Sequence, residues 1–411
     1  RLVGSEMCIR DRSHQIRVCT PPGITAQPDV LDGVVASESR RSFPVRLSAT
    51  TDVHPGVNLA AFDITLDGQR YGQWFDCIVQ ITAPSVFPSD GAERDRVAPK
   101  PLYRDPIYDG AADPVLIWNR QREKLWMLYT NRRANVPGLR GVSWVHGTRI
   151  GIAESEDGGV TWKYQGTAQI DLGVEEDSHW APDVLCHDGL YHMFLSFVPG
   201  MHEDWSGTRY IHHLISEDLV HWQDQGRLHL ASDRVIDASV IQTANGTWRM
   251  WYNNERDRKA IYLAESPDLN RWTDRGKAIG DKAGEGPKVF RWRDHYWMIV
   301  DQWQGLGVYR SDDADTWQQQ PDNLLAAPGQ GRDDQVKGGH ADVVVSGDRV
   351  YLFNFTHPGR RGADVGKDGY EQRRSSIQVV ELEVVDGWLR CDRDKPTRIR
   401  LLPAHVQDGS T

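Results

Sequence analysis

Four acidic residues and one histidine stand at the start of similar pairs of short apolar segments, 48 to 70 residues apart. They are Asp113, Asp183, Asp237, Glu285 and His340. Each precedes an apolar run, a polar turn and a second run rich in aromatic residues, which is the pattern of a β-hairpin. Carboxylates that meet at one bond can act as general acid and general base, so these residue types predict acid–base hydrolysis.

The repeat itself explains how residues so far apart in sequence can meet. A repeat of about 40 to 50 residues built from four strands is typical of a β-propeller blade, and the inner strands of all blades line one channel. The five repeats therefore predict an all-β, five-bladed β-propeller with the five polar residues in a ring at the channel mouth. Each acid alone could instead be a turn cap, but four acids at similar places favour a shared pocket.

A second motif follows the hairpin in four of the five repeats and consists of a serine, an acidic turn and a tryptophan. Serine and aspartate side chains cap turns of this kind with hydrogen bonds. We expect the tryptophans to pack between neighbouring sheets rather than to bind sugar. They are Trp162, Trp222, Trp272 and Trp317.

The chain divides into four segments by its local patterns. Residues 1–12 resemble translated sequencing-adapter sequence and are excluded as non-native. Residues 13–104 predict a β-rich extension, which either packs on the propeller or wraps a neighbouring copy in a homo-oligomer. The propeller is predicted to span residues 105–395, followed by a C-terminal tail at 396–411.

Three long insertions interrupt the propeller pattern, at residues 132–147, 198–207 and 356–374. Loops of this length on a compact scaffold commonly shape a binding face, although a simple surface loop is the alternative.

Composition excludes several classes of partner. The 58 acidic and 48 basic residues give a net charge of −10, which argues against nucleic acid and anionic membranes as partners. No apolar run reaches the roughly 18 residues of a membrane span. The five cysteines are too dispersed for a disulfide framework or a zinc site.

Five short motifs occur in a fixed order along the chain: DPV, HWAPDV, IDASV, EGP and GH, one at each polar residue of the ring. In this order they resemble the five-bladed glycoside hydrolases of family 43 and its relatives, over about residues 105 to 390. The third motif has alanine where the family has proline, at a position that shapes the backbone. The resemblance implies hydrolysis of a glycosidic bond with inversion of the anomeric centre.

The resemblance also implies a role for each acid. Asp113 corresponds to the general base that activates water, Glu285 to the general acid, and Asp237 to the carboxylate that orients the acid and tunes its pKa. An inverting pair is expected to stand about 6.5 to 9.5 Å apart. His340 is similar to the family's central histidine, near which an ion is often held through water. No cofactor is therefore required, while a calcium or sodium ion in the channel is compatible with the resemblance.

His340 and four further residues are predicted to contact the substrate. Trp180 and Trp303 can stack on a sugar, with packing as the equal alternative, and Asp183 either contacts the sugar or supports the site from behind. Arg374 can pair with a sugar carboxylate or sulfate, which would indicate an acidic or algal oligosaccharide, or it forms an ordinary salt bridge.

Two other functions fit parts of the pattern. A glycoside phosphorylase needs a basic phosphate pocket, for which His179, His340 and Arg374 are a loose match. A non-catalytic carbohydrate-binding propeller would hold Asp113 and Glu285 in salt bridges or turned apart. The expected function is an exo-acting, inverting hydrolase of plant or algal oligosaccharides, and such an enzyme is expected to be secreted or periplasmic.

A competing motif precedes the first repeat. Arg104, Asp105 and Pro106 spell RDP, which is found in invertase-like propellers with an aspartate nucleophile. In that group the motif lies in a middle blade, so we favour Asp113 over Asp105 as the reacting carboxylate.

Overall fold

The computed structural model describes residues 11–21, 23–36, 42–50, 56–81, 96–362 and 368–401. Residues 1–10 of the adapter-like segment, residues 402–411 of the tail and residues 363–367 of the third insertion lie outside these ranges. The described chain is almost entirely β-strand. Its helical turns include Ser143–Val145, Glu255–Asp257 and the α-helical turn α1 (Tyr370–Arg373), and none in the described ranges has the length or hydropathy of a membrane-spanning helix. The all-β prediction is confirmed.

The N-terminal extension forms a four-stranded antiparallel sheet and a separate strand pair. The sheet has the order β3-β1-β5-β6 and the pair is β2-β4. A tight turn at Asp67 and Gly68, both with positive φ, joins β5 to β6, as the Asp-Gly sequence predicts. The strands are β1 (Arg12–Cys19), β2 (Ile24–Gln27), β3 (Val30–Val35), β4 (Arg46–Ala49), β5 (Gly56–Leu66) and β6 (Gln69–Ile81).

This extension packs directly on the rest of the same chain. The Arg70 guanidinium lies 5.3 Å from the centre of the Tyr370 ring. Gly72 approaches Asn135 so closely that a Cβ there would stand 2.8 Å from its side chain. The sequence left two placements open, packing on the propeller or wrapping a neighbouring copy. These contacts are those of a sheet packed on the propeller.

Five sheets follow one another between residues 111 and 390. The first sheet comprises β8 (Ala111–Asn119), β9 (Lys124–Asn131), β10 (Arg149–Ser155) and β11 (Lys163–Thr167). The second comprises β12 (Gln169–Ile170), β13 (Asp177–His187), β14 (Leu190–Pro199), β15 (Tyr210–Ser216) and β16 (His221–Arg227). The third comprises β17 (Val235–Gln242), β18 (Trp248–Asn254), β19 (Ala260–Ser266) and β20 (Thr273–Ile279). The fourth comprises β21 (Glu285–Trp292), β22 (His295–Asp301), β23 (Leu306–Ser311) and β24 (Gln318–Gln319). The fifth comprises β25 (Gly339–Ser346), β26 (Arg349–Thr356), β27 (Ser376–Val385) and β28 (Trp388–Arg390). The strands of these sheets pair antiparallel except for β12 and β16 of the second sheet, which pair parallel.

The five sheets form a closed ring. The first strand of each hairpin, in the order β8, β13, β17, β21 and β25, packs against its successor, and β25 packs against β8. The two ends of the ring are tied by pairing of β7 (Arg96–Val97) with β29 (Arg398–Ile399) and by a bridge between Tyr103 and Ile377. This arrangement is the propeller architecture that the repeat predicts.

The tryptophans of the second motif pack between sheets, as predicted. Trp272 meets Phe194 of the preceding sheet edge-on, with ring centres 5.5 Å apart, and Trp317 meets Trp251 in the same way at 5.9 Å. The turns before them are capped by the aspartates; Asp313, for example, accepts the backbone N–H groups of its neighbours. Trp272 and Trp317 thus each bury the joint with the preceding sheet.

A β-bulge near the start of each inner strand determines which residues of the repeats are equivalent. Four bulge residues have positive φ: Asp113 (50°), Ala181 (39°), Asp237 (59°) and Gly286 (57°). Asp183 therefore lies two residues beyond the equivalent position, and Glu285 lies one residue before it. The prediction that all four acids occupy the same place was wrong, because the bulge is common to the four strands and its residue is an acid in only two of them.

Candidate active site

A cavity of about 970 Å³ opens where the inner strands begin, and all five sheets contribute to its wall. The volume lies within the range typical of small-ligand sites. Most of the residues expected at the channel mouth line this cavity: Asp113, Asp237, Glu285, His340, Trp180 and Trp303.

Asp113 is held on the cavity wall by an arginine. Arg132 Nη2 lies 2.9 Å from Oδ1 and 3.0 Å from Oδ2 of Asp113, and Nδ1 of His340 lies 3.5 Å from Oδ1. The Arg132 guanidinium also lies 4.6 Å from the centre of the Phe355 ring. These contacts fix the carboxylate, and each oxygen keeps a lone pair for another hydrogen bond.

Glu285 is also on the cavity wall and is held by two donors. Trp303 Nε1 donates to Oε1 at 3.1 Å, and Lys259 Nζ donates to Oε2 at 2.9 Å. Lys259 also pairs with Glu255 at 3.0 Å. Burial lowers the pKa of Lys259, but Glu285 and Glu255 outweigh this effect and raise it, so Lys259 stays charged. Trp303, predicted as a sugar platform, therefore also contacts the carboxylate proposed as acid.

Asp237 is buried between the other two acids. Its Oδ2 accepts the backbone N–H of Gly286 at 3.0 Å, and its own N–H donates to Ser196 Oγ at 2.8 Å. Burial, together with the nearby charges of Glu285 and Asp113, raises the pKa of Asp237 well above its ordinary value. The surroundings thus favour a protonated Asp237.

Another carboxylate on the wall, Asp301, was, like Glu255, missed by sequence reasoning. It pairs with Glu285 across the β21–β22 ladder, and it accepts the backbone N–H groups of Trp303 at 2.8 Å and His340 at 3.0 Å. Burial first, and then the charge of Glu285, raises the pKa of Asp301 to about 6. The only available signal was its position at the end of the strand that pairs with Glu285.

Two residues predicted to bind substrate do not line the cavity. Asp183 is buried in the channel, where it pairs with Lys288 at 2.9 Å and accepts the backbone N–H of Val240 at 2.7 Å. Arg374 pairs with Asp333 at 3.1 Å and Glu371 at 2.7 Å, which is the salt-bridge alternative. The sequence motif suggested that Asp183 reaches the substrate, but Asp183 lies beyond the bulge and is buried in the channel.

The residues around the channel do not fit a directly bound divalent cation. In the described ranges, no cluster of three histidine, cysteine, aspartate or glutamate side chains has metal-binding geometry. Lys288 instead places its ammonium group between Asp183 and Asp342, at 2.9 and 2.8 Å. A fixed positive charge thus already pairs with these two buried carboxylates.

All three predicted insertions contribute to the cavity wall. The first supplies Trp144, the second supplies Trp205, and the third supplies Arg360 and Arg361. Trp205 is 51% exposed and lies 6.3 Å from the Trp180 ring. Sequence reasoning identified these loops but not the side chains that they bring to the cavity.

The residues of the competing hypotheses lie elsewhere. His179 is fully buried beside Asp177 and does not line the cavity, so the loose phosphate cluster is not assembled. Asp105 is also buried and accepts hydrogen bonds from Tyr129 Oη at 2.6 Å and Asn131 Nδ2 at 3.0 Å. It lines a separate cavity beside the N-terminal extension.

Solved structures with the same fold include family 43 enzymes. A thermostable family-43 glycoside hydrolase has 18% identity and a TM-score of 0.52, covering 71% of this chain and 96% of its own. A family-43 β-1,3-galactosidase has 14% identity and a TM-score of 0.51, covering 73% and 98%. A family-32 β-fructofuranosidase from Bombyx mori has 13% identity and a TM-score of 0.53, covering 69% and 63%.

Curated relatives match over shorter stretches. A Psychromonas ingrahamii protein named "Probable sucrose-6-phosphate hydrolase" is 27% identical over 184 residues, which is 37% of this chain and 33% of that protein. An uncharacterised protein of Mycobacterium tuberculosis is 30% identical over 141 residues, or 32% and 46%. The match thus spans less than half the length of either relative.

The family comparison covers most of the chain. The sequence pattern of the Glycosyl hydrolases family 43 matches residues 103–389, which includes all five sheets of the ring and every acid of the cavity. The chain belongs to glycosyl hydrolase family 43.

Proposed function

We propose that this protein is a hydrolase that cleaves a terminal residue from a plant or algal oligosaccharide and inverts the anomeric centre. The observation that carries the proposal is that Asp113 and Glu285, on different sheets, line one cavity and are each held by hydrogen bonds from cationic side chains. An inverting enzyme needs two such carboxyl groups on opposite sides of the scissile bond.

In the proposed reaction, Asp113 removes a proton from a water molecule that attacks the anomeric carbon. Glu285 gives its proton to the departing oxygen, so the glycosidic C–O bond breaks as the new one forms. Asp237 orients the acid through the N–H of Gly286, and its charge state is linked to that of Glu285. Trp303 and Lys259 restrict the position of Glu285.

Exo action is supported by the shape of the site. Side chains from the three insertions add to a wall already formed by all five sheets, which favours the end of a sugar chain over its middle. Trp180 and Trp205 supply apolar surface of the kind that sugar rings stack on.

The test is turnover of oligosaccharides with time-resolved NMR of the anomer released first. Inversion predicts that the first product has the opposite configuration to the bond cleaved, whereas retention would contradict the mechanism. The Glu285→Gln variant should lose turnover, and full activity in that variant would overturn the assignment of the acid.

A non-catalytic carbohydrate-binding propeller is the second candidate, because Asp113 and Glu285 both take part in ion pairs. The two functions differ in one measurement. A protein that binds an oligosaccharide, as detected by calorimetry, but releases no sugar from it during extended incubation would be a binding module.

A further inference from the structure

Three cations on one side of the cavity have no carboxylate partner in the part of the chain that the structure describes. They are Lys337, Arg360 and Arg361, and all three line the cavity. The other lysine and arginine side chains of the wall are paired: Arg132 with Asp113, Arg209 and Arg234 with Glu255, and Lys259 with Glu255 and Glu285.

Arg360 is held in position by its neighbours. Its Nε donates to the backbone oxygen of Gln372 at 2.9 Å, and the Gln372 amide donates to the backbone oxygen of Gly359. A Cβ at Gly359 would stand 1.9 Å from the backbone oxygen of Glu371, so this close approach requires glycine. The guanidinium, 5.9 Å from the Trp144 ring centre, keeps both terminal nitrogens without a partner in the described residues.

Lys337 lies near the proposed proton donor. Its Nζ donates to the backbone oxygen of Trp303, the residue whose indole contacts Glu285. Arg361 Nη1 donates to the neutral side chain of Gln335. Neither contact supplies a negative charge to balance these cations.

The cations of this group also repel one another. Partial burial, and then the charge of Arg132, lowers the pKa of Arg360 to about 10. Partial burial lowers the pKa of Lys337 as well; the charges of Asp301 and Glu285 act against this, and the charge of Arg360 adds to it, so that the pKa remains lowered. Both side chains remain open to solvent, so a ligand can reach them and relieve the repulsion.

We propose that Lys337, Arg360 and Arg361 bind an anionic substituent of the substrate, which is a carboxylate or a sulfate or phosphate ester on the sugar. This inference rests on the proposed function and narrows its substrate to an acidic oligosaccharide. Arginine presents a planar set of donors that matches such groups, and lysine adds a point charge. All three side chains are exposed to solvent and line the cavity, so an anionic group of a bound sugar can reach them.

The sequence suggested that Arg374 binds an acidic sugar, and we now assign this role to Arg360 of the same insertion. Arg374 is neutralised by Asp333 and Glu371, whereas Arg360 faces the cavity and its terminal nitrogens have no partner among the described residues. Position in the fold, and not the sequence motif, separates the two arginines.

The binding test compares acidic sugars with their neutral parents by isothermal titration calorimetry. The probes are glucuronate and galacturonate, the 6-sulfates and 6-phosphates of glucose and galactose, and the two neutral sugars. We expect at least one acidic form to bind about 10-fold or more tightly than its parent, since a charged hydrogen bond is worth about 1.5 to 3 kcal/mol. The Arg360→Gln and Lys337→Gln variants should each lose this preference.

Arg271→Gln is the matched control, because Arg271 is exposed on an outer turn and pairs with Asp268. It should keep the acidic preference. Equal binding of acidic and neutral sugars by the wild-type protein, or an unchanged preference in Arg360→Gln, would overturn the proposal.

Hydrolysis assays separate this proposal from the proposed function. Uronic acid, sulfated, phosphorylated and neutral oligosaccharides of matched backbone serve as substrates, and the best acidic one should show a KM that rises in Arg360→Gln and in high salt. Charge-dependent binding without sugar release from any of them would support the anion site and contradict the hydrolase. Product formation that requires inorganic phosphate would overturn the proposal by assigning the cations to a second substrate.

Discussion

Asp237 accepts the backbone N–H of Gly286 through Oδ2 at 3.0 Å. Gly286 directly follows Glu285, so this bond joins two acids of neighbouring sheets through the main chain. Gly286 has a φ of 57°, and a Cβ there would lie 2.6 Å from the His340 ring. The start of β21 is therefore confined between Asp237 and His340, which orients Glu285 toward the cavity.

The first prediction concerns the pH dependence of the reaction. Burial and the nearby charges of Glu285 and Asp113 raise the pKa of Asp237, because an additional negative charge in the cavity is unfavourable. The Asp237→Asn variant has one acid fewer, and we expect the alkaline limb of its kcat/KM profile to move to lower pH. The measurement is kcat/KM from pH 4 to 9 for both proteins, and an alkaline limb that stays in place or moves upward would contradict the coupling.

The second prediction separates the proposed acid from the proposed base. Both Glu285→Gln and Asp113→Asn should lower kcat by about 10²- to 10⁴-fold on natural substrates. An aryl glycoside with a very acidic phenol needs no proton donor, so it should restore much of the rate to Glu285→Gln and little to Asp113→Asn. Rescue of Asp113→Asn instead would reverse the two assignments.

The third prediction tests the RDP aspartate. Burial raises the pKa of Asp105 to about 6, so its stabilising contribution is full below the ordinary value of 3.8 and is lost as pH rises through about 6. Asp105→Asn should lessen this pH dependence of Tm. It should also destabilise the fold by about 1 to 3 kcal/mol, because an amide nitrogen would face the donors Tyr129 and Asn131.

The control for this prediction is the catalytic activity of the Asp105→Asn variant. Below its Tm, the Asp105→Asn protein should keep kcat within a few-fold of the wild type, since Asp105 lies outside the active-site cavity. A loss comparable to that of Asp113→Asn, in a protein whose Tm is unchanged, would support an invertase-like nucleophile instead.

The fourth prediction concerns the buried lysine of the channel. Lys288→Met leaves Asp183 and Asp342 buried without their cation, which is expected to cost about 3 to 5 kcal/mol. A thermal or denaturant titration measures this, with the exposed Lys282→Met as the matched control. Because Lys288 already supplies the positive charge, EDTA should change neither Tm nor kcat of the wild type, and restoration of lost activity by added Ca²⁺ would contradict this.

Much of the architecture was predictable because it depends on short-range patterns. Each hairpin combines two apolar runs with a polar turn, and each outer turn carries its own cap and Trp, as at Asp313 and Trp317. The placement of Asp113, Asp237 and Glu285 at one cavity follows from the closed ring. The register of the repeats escaped prediction, because residue type alone does not determine it. Strand pairing makes Ala181, and not Asp183, the counterpart of Asp113.

By itself, the amino-acid sequence determined the strand pattern, the number of repeats and the chemical types of the acids. Tertiary structure alone decided which charges are neutralised. Lys259 reaches Glu285 of the neighbouring sheet, and Lys288 joins Asp183 to Asp342. Among the residues that the structure describes, none accepts a hydrogen bond from the terminal nitrogens of Arg360. Electrostatic partners depend on distance in space and on exclusion of water, and neither quantity is written in the order of residues along the chain.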